Sequence, residues 1–353
     1  MLIGTYTEKL PHVDGKADGI LGAAYEPRGS LTSANLLAET RNPSWLVATP
    51  DGAHVYAVME TTDFDGRPGG GAAAFSRHPA TGILTFLNAV SSGGAEPAHI
   101  EIDPSGRYLL EVNYGGGSVT VFAIRSDGAL GERVEHIQFM GSGPHPQRQT
   151  SPHPHQIVFD PTISGRVLIP DLGTDLVRFF DFGDDGSLTE LSQRTFRTAP
   201  GAGPRHVVFH PDGSHLFVLN ELDTTLLVLR REDESFVQAS AVPLVAPGYT
   251  GSSQGAAIRV SPSGRHVLAS TRGADTIAIF AFDAAASTLT LEHLESSRGL
   301  VPRDFVFTPD GGHVLVANQD SDRVVTFAYD DAGPSLTYRG TSSVPTPTCL
   351  IFV

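Results

Sequence analysis

Pro204-Arg205-His206-Val207-Val208-Phe209-His210-Pro211-Asp212-Gly213-Ser214-His215-Leu216-Phe217-Val218-Leu219-Asn220-Glu221 contains a whole structural unit. An alternating strand leads into a Pro-Asp-Gly turn, and a second apolar strand ends on two polar residues. The same phrase begins at Pro43, Pro97, Pro154, Gln254 and Pro302, and its first strand alone recurs at Pro347. Consecutive anchors lie 45 to 57 residues apart. Running from Pro347 off the end and round to Pro43 adds 49, which closes the count on 353 residues. A β-rich period near fifty is the mark of a propeller blade. Each repeat supplies two further strands, such as Ser118–Ile124, joined by Asp-Gly or Thr-Gly turns. Register then assigns Leu2–Thr7, Gly19–Glu26 and Leu31–Thr40 to the blade that Pro347–Val353 begins. The expected fold is all-β: one domain, 1–353, of seven four-stranded antiparallel blades, the last closed by strands from both termini. Such stitching removes open sheet edges, and truncation at either end should be costly.

Composition agrees with many short strands and tight turns. The chain has 38 Gly and 25 Pro, and no segment sustains a helical period. A net charge of −15 argues against a nucleic-acid partner. A small anionic ligand remains compatible with it, because a few arginines in a cleft set the local field. No apolar run is long enough for a membrane span, and the start lacks the pattern of a signal peptide. The single cysteine, Cys349, cannot form an intrachain disulfide. A cytoplasmic protein, monomeric or weakly homo-oligomeric, is the expectation.

Comparing the copies isolates the exceptions. The residue after each anchor comes from every blade to one mouth of the central channel: Ser44, Ala98, His155, Arg205, Gly255, Arg303 and Thr348. The second strand returns to the same mouth and ends on Met59-Glu60, Asn113-Tyr114, Asp171-Leu172, Asn220-Glu221, Thr271-Arg272, Asn318-Gln319 and Thr5-Tyr6. The first member of each pair, usually Asn, Asp or Thr, suits capping of the backbone where the strand turns. The second member varies in charge. His155, Arg205, Glu221 and Arg272 thus converge from consecutive blades. Two guanidiniums suit capture of a phosphate or carboxylate, and an imidazole beside a carboxylate supplies acid and base. The alternative is a salt-bridge network that merely closes the channel. Arg303 and Gln319 from the same ring, and His153 on the loop 141–153 leading into His155, complete the substrate-binding candidates.

Weaker patterns point nowhere. Gly251-Ser252-Ser253-Gln254-Gly255 spells G-x-S-x-G, but a nucleophile elbow needs a strand-to-helix turn. His145, His153 and His155 lack a carboxylate or cysteine at a ligand spacing. Asp63-Phe64-Asp65-Gly66 and Asp320-Ser321-Asp322 lack the rest of a calcium loop. Gly115-Gly116-Gly117 opens no helix. Phe159-Asp160-Pro161 and Phe209-His210-Pro211 belong to the far end of the blades and read as structural.

Gly201-Ala202-Gly203-Pro204-Arg205-His206-Val207-Val208-Phe209-His210-Pro211, with Leu219-Asn220-Glu221-Leu222, resembles the signature of the seven-bladed propeller lactonases. These comprise the bacterial propeller-type 6-phosphogluconolactonases and the fungal 3-carboxy-cis,cis-muconate lactonizing enzymes. Gly4-Thr5-Tyr6-Thr7 and Pro347-Thr348-Cys349-Leu350 resemble the same family. The resemblance implies His155, Arg205, Glu221 and Arg272 as active-site residues, the four that register singles out. It implies hydrolysis of an anionic sugar lactone, 6-phosphogluconolactone first, within the pentose phosphate pathway, and no metal or organic cofactor. Arg205 and Arg272 would hold the anion while Glu221 or His155 activates water. A cycloisomerase is the alternative within the family. Outside it stand a protein-interaction propeller and a redox or metal-dependent one.

Overall fold

The computed structural model describes residues 1–26 and 29–353. Seven antiparallel sheets follow one another around a central channel. The unit quoted first becomes Pro204–Phe209, His215–Asn220, Thr225–Glu232 and Ser235–Pro243, paired in that order. The last sheet is ordered Pro347–Ile351, Leu2–Thr5, Gly19–Gly22, Asn35–Glu39, so both ends of the chain share one blade. Leu2 pairs with Ile351 and Ile3 with Leu350. The only helical segments among the described residues are two three-residue 3-10 turns.

Strands of nearly unbroken apolar character form because both faces of a blade are covered. Alternate residues of His215–Asn220 pack in opposite directions. Leu216 and Val218 meet Leu168, Val177 and Phe179 of the preceding blade. Phe217 and Leu219 meet Ile258, Val267 and Phe280 of the following one. The core is therefore a ring of interblade layers, and no single blade can bury its own faces alone.

Two blades depart from the ideal. The inner strand of the Pro154 blade is only Val158–Phe159, with Pro154 held by an isolated bridge to Asp171. Pro152 and Pro154 remove two backbone donors, so a regular ladder cannot start there. Its outer strand is broken into Leu188–Glu190 and Phe196–Arg197 by the turn Ser192–Arg194. In the Pro43 blade the inner strand is shortened to Leu46–Ala48.

A recurrent backbone contact fixes where the strands end. The residue preceding the proline anchor is left-handed in five blades: Asn42 (φ 41°), Glu96 (51°), Gly203 (65°), Val301 (57°) and Thr346 (36°). Its carbonyl accepts from the N–H of the residue just past the second strand. The pairs are Glu60 to Asn42 (3.1 Å), Tyr114 to Glu96 (2.9 Å), Glu221 to Gly203 (2.7 Å), Gln319 to Val301 (3.0 Å) and Tyr6 to Thr346 (3.2 Å). Each such bond closes the inner hairpin at the same height around the channel. The small polar residue one place earlier meets the backbone in three blades, where Asn318 donates to the Ser297 carbonyl (3.1 Å), Thr5 Oγ1 donates to the Gly19 carbonyl (2.7 Å) and Asp171 accepts from the Gly173 N–H (3.1 Å). Asn113 and Asn220 instead bond the hydroxyls of Ser118 and Thr225.

The channel is plugged at mid-height. Trp45 lies 4.5 Å from the His99 ring and 5.7 Å from that of His206, which in turn is 5.3 Å from His155. Burial, followed by the charges of Arg259 and Arg205, holds His99 down at about 3, so this plug is uncharged. Cavities open on either side. The larger, about 600 Å³, is lined by Trp45, Phe159, Phe209 and neighbours at the far end, where the two Phe-x-Pro turns had read as structural.

One buried group conflicts with its layer. Glu111 is fully buried and neither carboxylate oxygen has a partner among the described residues. Alternation puts it on the face of Leu109, which packs against Tyr56, Val58 and Ala74. Burial pushes its carboxyl well above 4.5, so the folded state keeps a proton that the unfolded chain releases. Stability is then lost progressively as pH rises from about 4.5 through the folded value. Glu111→Met should remove that slope and add about 1–3 kcal/mol near neutrality, as read by denaturant unfolding at a series of pH values.

Candidate active site

The smaller cavity, about 400 Å³, lies at the mouth where the second strands end. From the closing pairs it receives Glu60, Tyr114, Glu221 and Arg272. From the inner-strand starts it receives Ala98, His155 and Arg303, and Gln254 takes the place of Gly255. Gly255 itself cannot carry a side chain, since a Cβ there would sit 2.5 Å from the Asn220 carbonyl oxygen. Three further residues were not anticipated from the repeat. Arg148 comes from the long loop 141–153, His12 from the turn between the short strands Lys9–Leu10 and Val13–Asp14, and Glu96 from the left-handed position before Pro97.

Glu221 is the electrostatic centre. It is 3% exposed, with Arg148 Nη2 at 2.5 Å from Oε1 and Arg272 Nη2 and Arg205 Nε at 2.7 and 3.2 Å from Oε2. Burial alone would raise its carboxyl, but Arg272, Arg148 and Arg205 outweigh burial and hold it down at about 2. Arg205 lies beneath the floor rather than along the wall. It is 2% exposed and donates through Nη1 to the Ala256 carbonyl. Burial, then repulsion from Arg272 and Arg303, brings it down to about 9, still charged at neutrality. It is not among the residues lining the cavity, and its guanidinium pairs with Glu221 instead.

A second carboxylate, Glu60, accepts from Tyr6 Oη (2.7 Å) and from Ser44 Oγ. Arg303 stands 3.9 Å from Glu60 and over the Tyr6 ring at 5.2 Å. It makes no closer ion pair and no hydrogen bond among the described residues. Of the four guanidiniums it is the least engaged. Burial lowers its pKa and Tyr6 and Glu60 raise it, with a net rise that keeps it cationic. Burial, then Arg205 and Arg303, keeps His155 well below 6.5 and neutral.

Gln319 and His153 fall outside the main cavity. Gln319 lines an adjoining recess of about 310 Å³ that shares His12, Gln254, Arg272 and Arg303 with it. His153 stacks on Tyr114 with ring centroids 4.6 Å apart, and its Nδ1 lies 2.8 Å from the Tyr114 carbonyl oxygen. It lies behind Tyr114 and is not among the residues lining the cavity. Ser253 of the G-x-S-x-G match sits in a loop leading into a strand, with no helix behind it. Among the described residues no three His, Cys, Asp or Glu side chains cluster as metal ligands.

The family model described as "Lactonase, 7-bladed beta-propeller" matches residues 1–352. The chain belongs to the seven-bladed β-propeller lactonase family. It is 34% identical over 308 residues to a 6-phosphogluconolactonase of Bacillus subtilis, covering 86% of this chain and 84% of that protein. A crystal structure of a putative 6-phosphogluconolactonase from Bacteroides fragilis superposes with a TM-score of 0.89 at 33% identity, covering 100% of this chain and 97% of that one. The periplasmic gluconolactonase of Pseudomonas aeruginosa gives 0.91 at 31% identity, covering 98% and 96%. Among the described residues no helix is long and apolar enough to cross a membrane.

The salt-bridge reading of the mouth and the ligand-site reading of this lactonase describe different parts of it. Glu221 spends its charge on three arginines, while Arg303 and the outer edges of Arg148 and Arg272 still face the cavity. Glu221→Gln should leave that cluster uncompensated and cost roughly 3–5 kcal/mol of stability. Because the folded carboxyl is depressed, its contribution is present above about 4.5 and lost as pH falls toward about 2. Acid unfolding of the wild type should show this slope and that of the variant should not.

Proposed function

We propose that this lactonase hydrolyses a phosphorylated sugar lactone, 6-phosphogluconolactone, to the open acid. The observation that carries the reading is Arg303, a largely buried cation whose nearest carboxylate, that of Glu60, stands 3.9 Å away and is already engaged by Tyr6 and Ser44, facing both the 400 Å³ cavity and its 310 Å³ recess. A cavity of this size suits a compact, polar substrate. The phosphate enters the recess, where Arg303, Gln254 and Gln319 meet it, and Arg272 borders both spaces. The lactone ring then lies in the main cavity among Tyr114, His155 and Arg148.

Attack of water on the lactone carbonyl builds negative charge on its oxygen. Arg148 and Arg272, already oriented by Glu221, have remaining N–H groups to stabilise that charge in a site of low dielectric. Their geometry is held before substrate arrives, so little reorganisation accompanies the step. His155, kept neutral by burial and by the neighbouring cations, offers a hydrogen bond to the ring without adding charge. The reaction assembles from this chain's own side chains. The relatives named 6-phosphogluconolactonase support the choice of substrate. Residence in the cytoplasm is part of the same reading. The similar Pseudomonas protein is described as periplasmic, so the fold is neutral on compartment.

The direct test is lactone opening measured against the spontaneous rate, with 6-phosphogluconolactone, unphosphorylated gluconolactone and a carboxymuconate compared. Arg303→Ala should raise KM for the phosphorylated lactone roughly 10–100-fold, with a much smaller change for the neutral one. Wild-type opening no faster than the spontaneous reaction would overturn the assignment. Turnover of the carboxymuconate alone would move it to lactone formation.

A further inference from the structure

Three carboxylates line the cavity, and two are fully occupied. Both oxygens of Glu221 are held by guanidiniums, and at about 2 it is a very weak base. Glu60 accepts from Tyr6 through one oxygen and from Ser44 through the other. Neutral His155 is also a weak base, being held far below its ordinary value. Glu96 differs from all of them. Among the described residues its side chain makes no hydrogen bond and no ion pair, yet it is half-buried in the wall of the cavity.

Its mount is rigid. The Glu96 N–H donates to the Thr61 carbonyl (2.8 Å), and its own carbonyl accepts from Tyr114 N–H (2.9 Å). The left-handed backbone at φ 51° is held by these two hydrogen bonds. Four other blades share this left-handed position, at Asn42, Gly203, Val301 and Thr346, and His153 and Ser253 precede the remaining two anchors, so the carboxylate is peculiar to this blade. Space for it is made by Gly115, where a Cβ would lie 2.6 Å from Glu96 Oε2. Tyr114, between Gly115 and the cavity, also receives Arg148 on its hydroxyl at 3.0 Å.

We propose that Glu96 is the proton-transfer residue of this lactonase, taking the proton of the attacking water and returning it to the ring oxygen. The inference rests on the hydrolytic reading above. Water oxygen bonds to the carbonyl carbon as one of its protons passes to the Glu96 carboxylate. The tetrahedral adduct then collapses, the bond from carbonyl carbon to ring oxygen breaks, and Glu96 gives its proton to the departing alkoxide. Water and lactone become a hydroxy acid, which ionises to solvent, and Glu96 ends as it began.

The surroundings suit this cycle. Burial first, and then Glu60, raises the Glu96 carboxyl above 4.5, while His153 opposes the rise. The other charged or titratable groups lining the cavity are Arg148, Arg303, Arg272, His155, His12, Tyr114 and Glu221. A base must be ionised to act, so kcat/KM should fall as pH drops through the raised value.

The experiment is 6-phosphogluconolactone hydrolysis by wild type and Glu96→Gln, corrected for spontaneous opening, between about pH 5 and 7.5. Glu96→Gln should lower kcat by about 10²–10⁴-fold, leave KM within about threefold and abolish the acid limb. Glu96→Ala should behave alike and recover part of its rate when formate is added. A wild type above the spontaneous rate with Glu96→Gln at similar kcat overturns the role of Glu96 and leaves the lactonase reading standing. A wild type at the spontaneous rate removes both. If Glu96→Gln fails to fold, Glu96→Ala with formate decides: rescue supports the role, and full activity without formate overturns it.

Discussion

The backbone hydrogen bond that closes each inner hairpin governs the geometry of the functional mouth. A left-handed residue before the anchoring proline turns its carbonyl toward the N–H just beyond the second strand, in five blades at 2.7 to 3.2 Å. Proline removes the competing donor at the next position and fixes its own φ. The consequence is that Tyr6, Glu60, Tyr114, Glu221 and Gln319 stand at one height around the channel. They hang on the N–H groups so held, and side-chain identity is then free to vary from blade to blade. A repeated structural bond thereby carries unrepeated chemistry.

Electrostatics differentiates the ring. Four guanidiniums in one small mouth would repel each other, and Glu221 offsets this by binding three of them. Its depressed pKa is the measure of that attraction over the opposing cost of burial. The fourth, Arg303, is left with the more distant Glu60, whose oxygens are already engaged by Tyr6 and Ser44. A cation that no carboxylate fully neutralises faces the cavity as a consequence. Glu96, on the opposite imbalance, has no cation of its own. Unequal pairing is the basis on which an anion-holding role is proposed for Arg303 and a proton-transfer role for Glu96.

The other end of the channel holds the larger of the two spaces and a different lining. The larger space is walled by Trp45 and the phenylalanines of the Phe-x-Pro turns. Between the two ends, Trp45, His99, His206 and His155 form an uncharged plug of tilted and edge-to-face rings. Arg205 and Glu221 are almost wholly buried beside that plug, and a low local dielectric strengthens their ion pair.

Seven blades, the closure by both termini, and the ring that joins His155, Glu221, Arg272 and Arg303 were legible in the sequence. Periodicity and register are one-dimensional properties, and a propeller converts sequence position directly into angle and height. The same register contained Glu60, Tyr114 and Tyr6, but pattern alone gave no reason to prefer them to other second members of a pair. Arg148 and His12 lie on irregular connections, where the repeat assigns no coordinate; only the unusual length of loop 141–153 hinted at the former. Register also carried Arg205 to the mouth without revealing that it would sink below the floor, because depth depends on how Glu221, Ala256 and the aromatic plug pack around it. Which carboxylate is clamped and which is left unpaired was decided by tertiary structure, since pairing is set by distances between blades that no spacing along the chain contains.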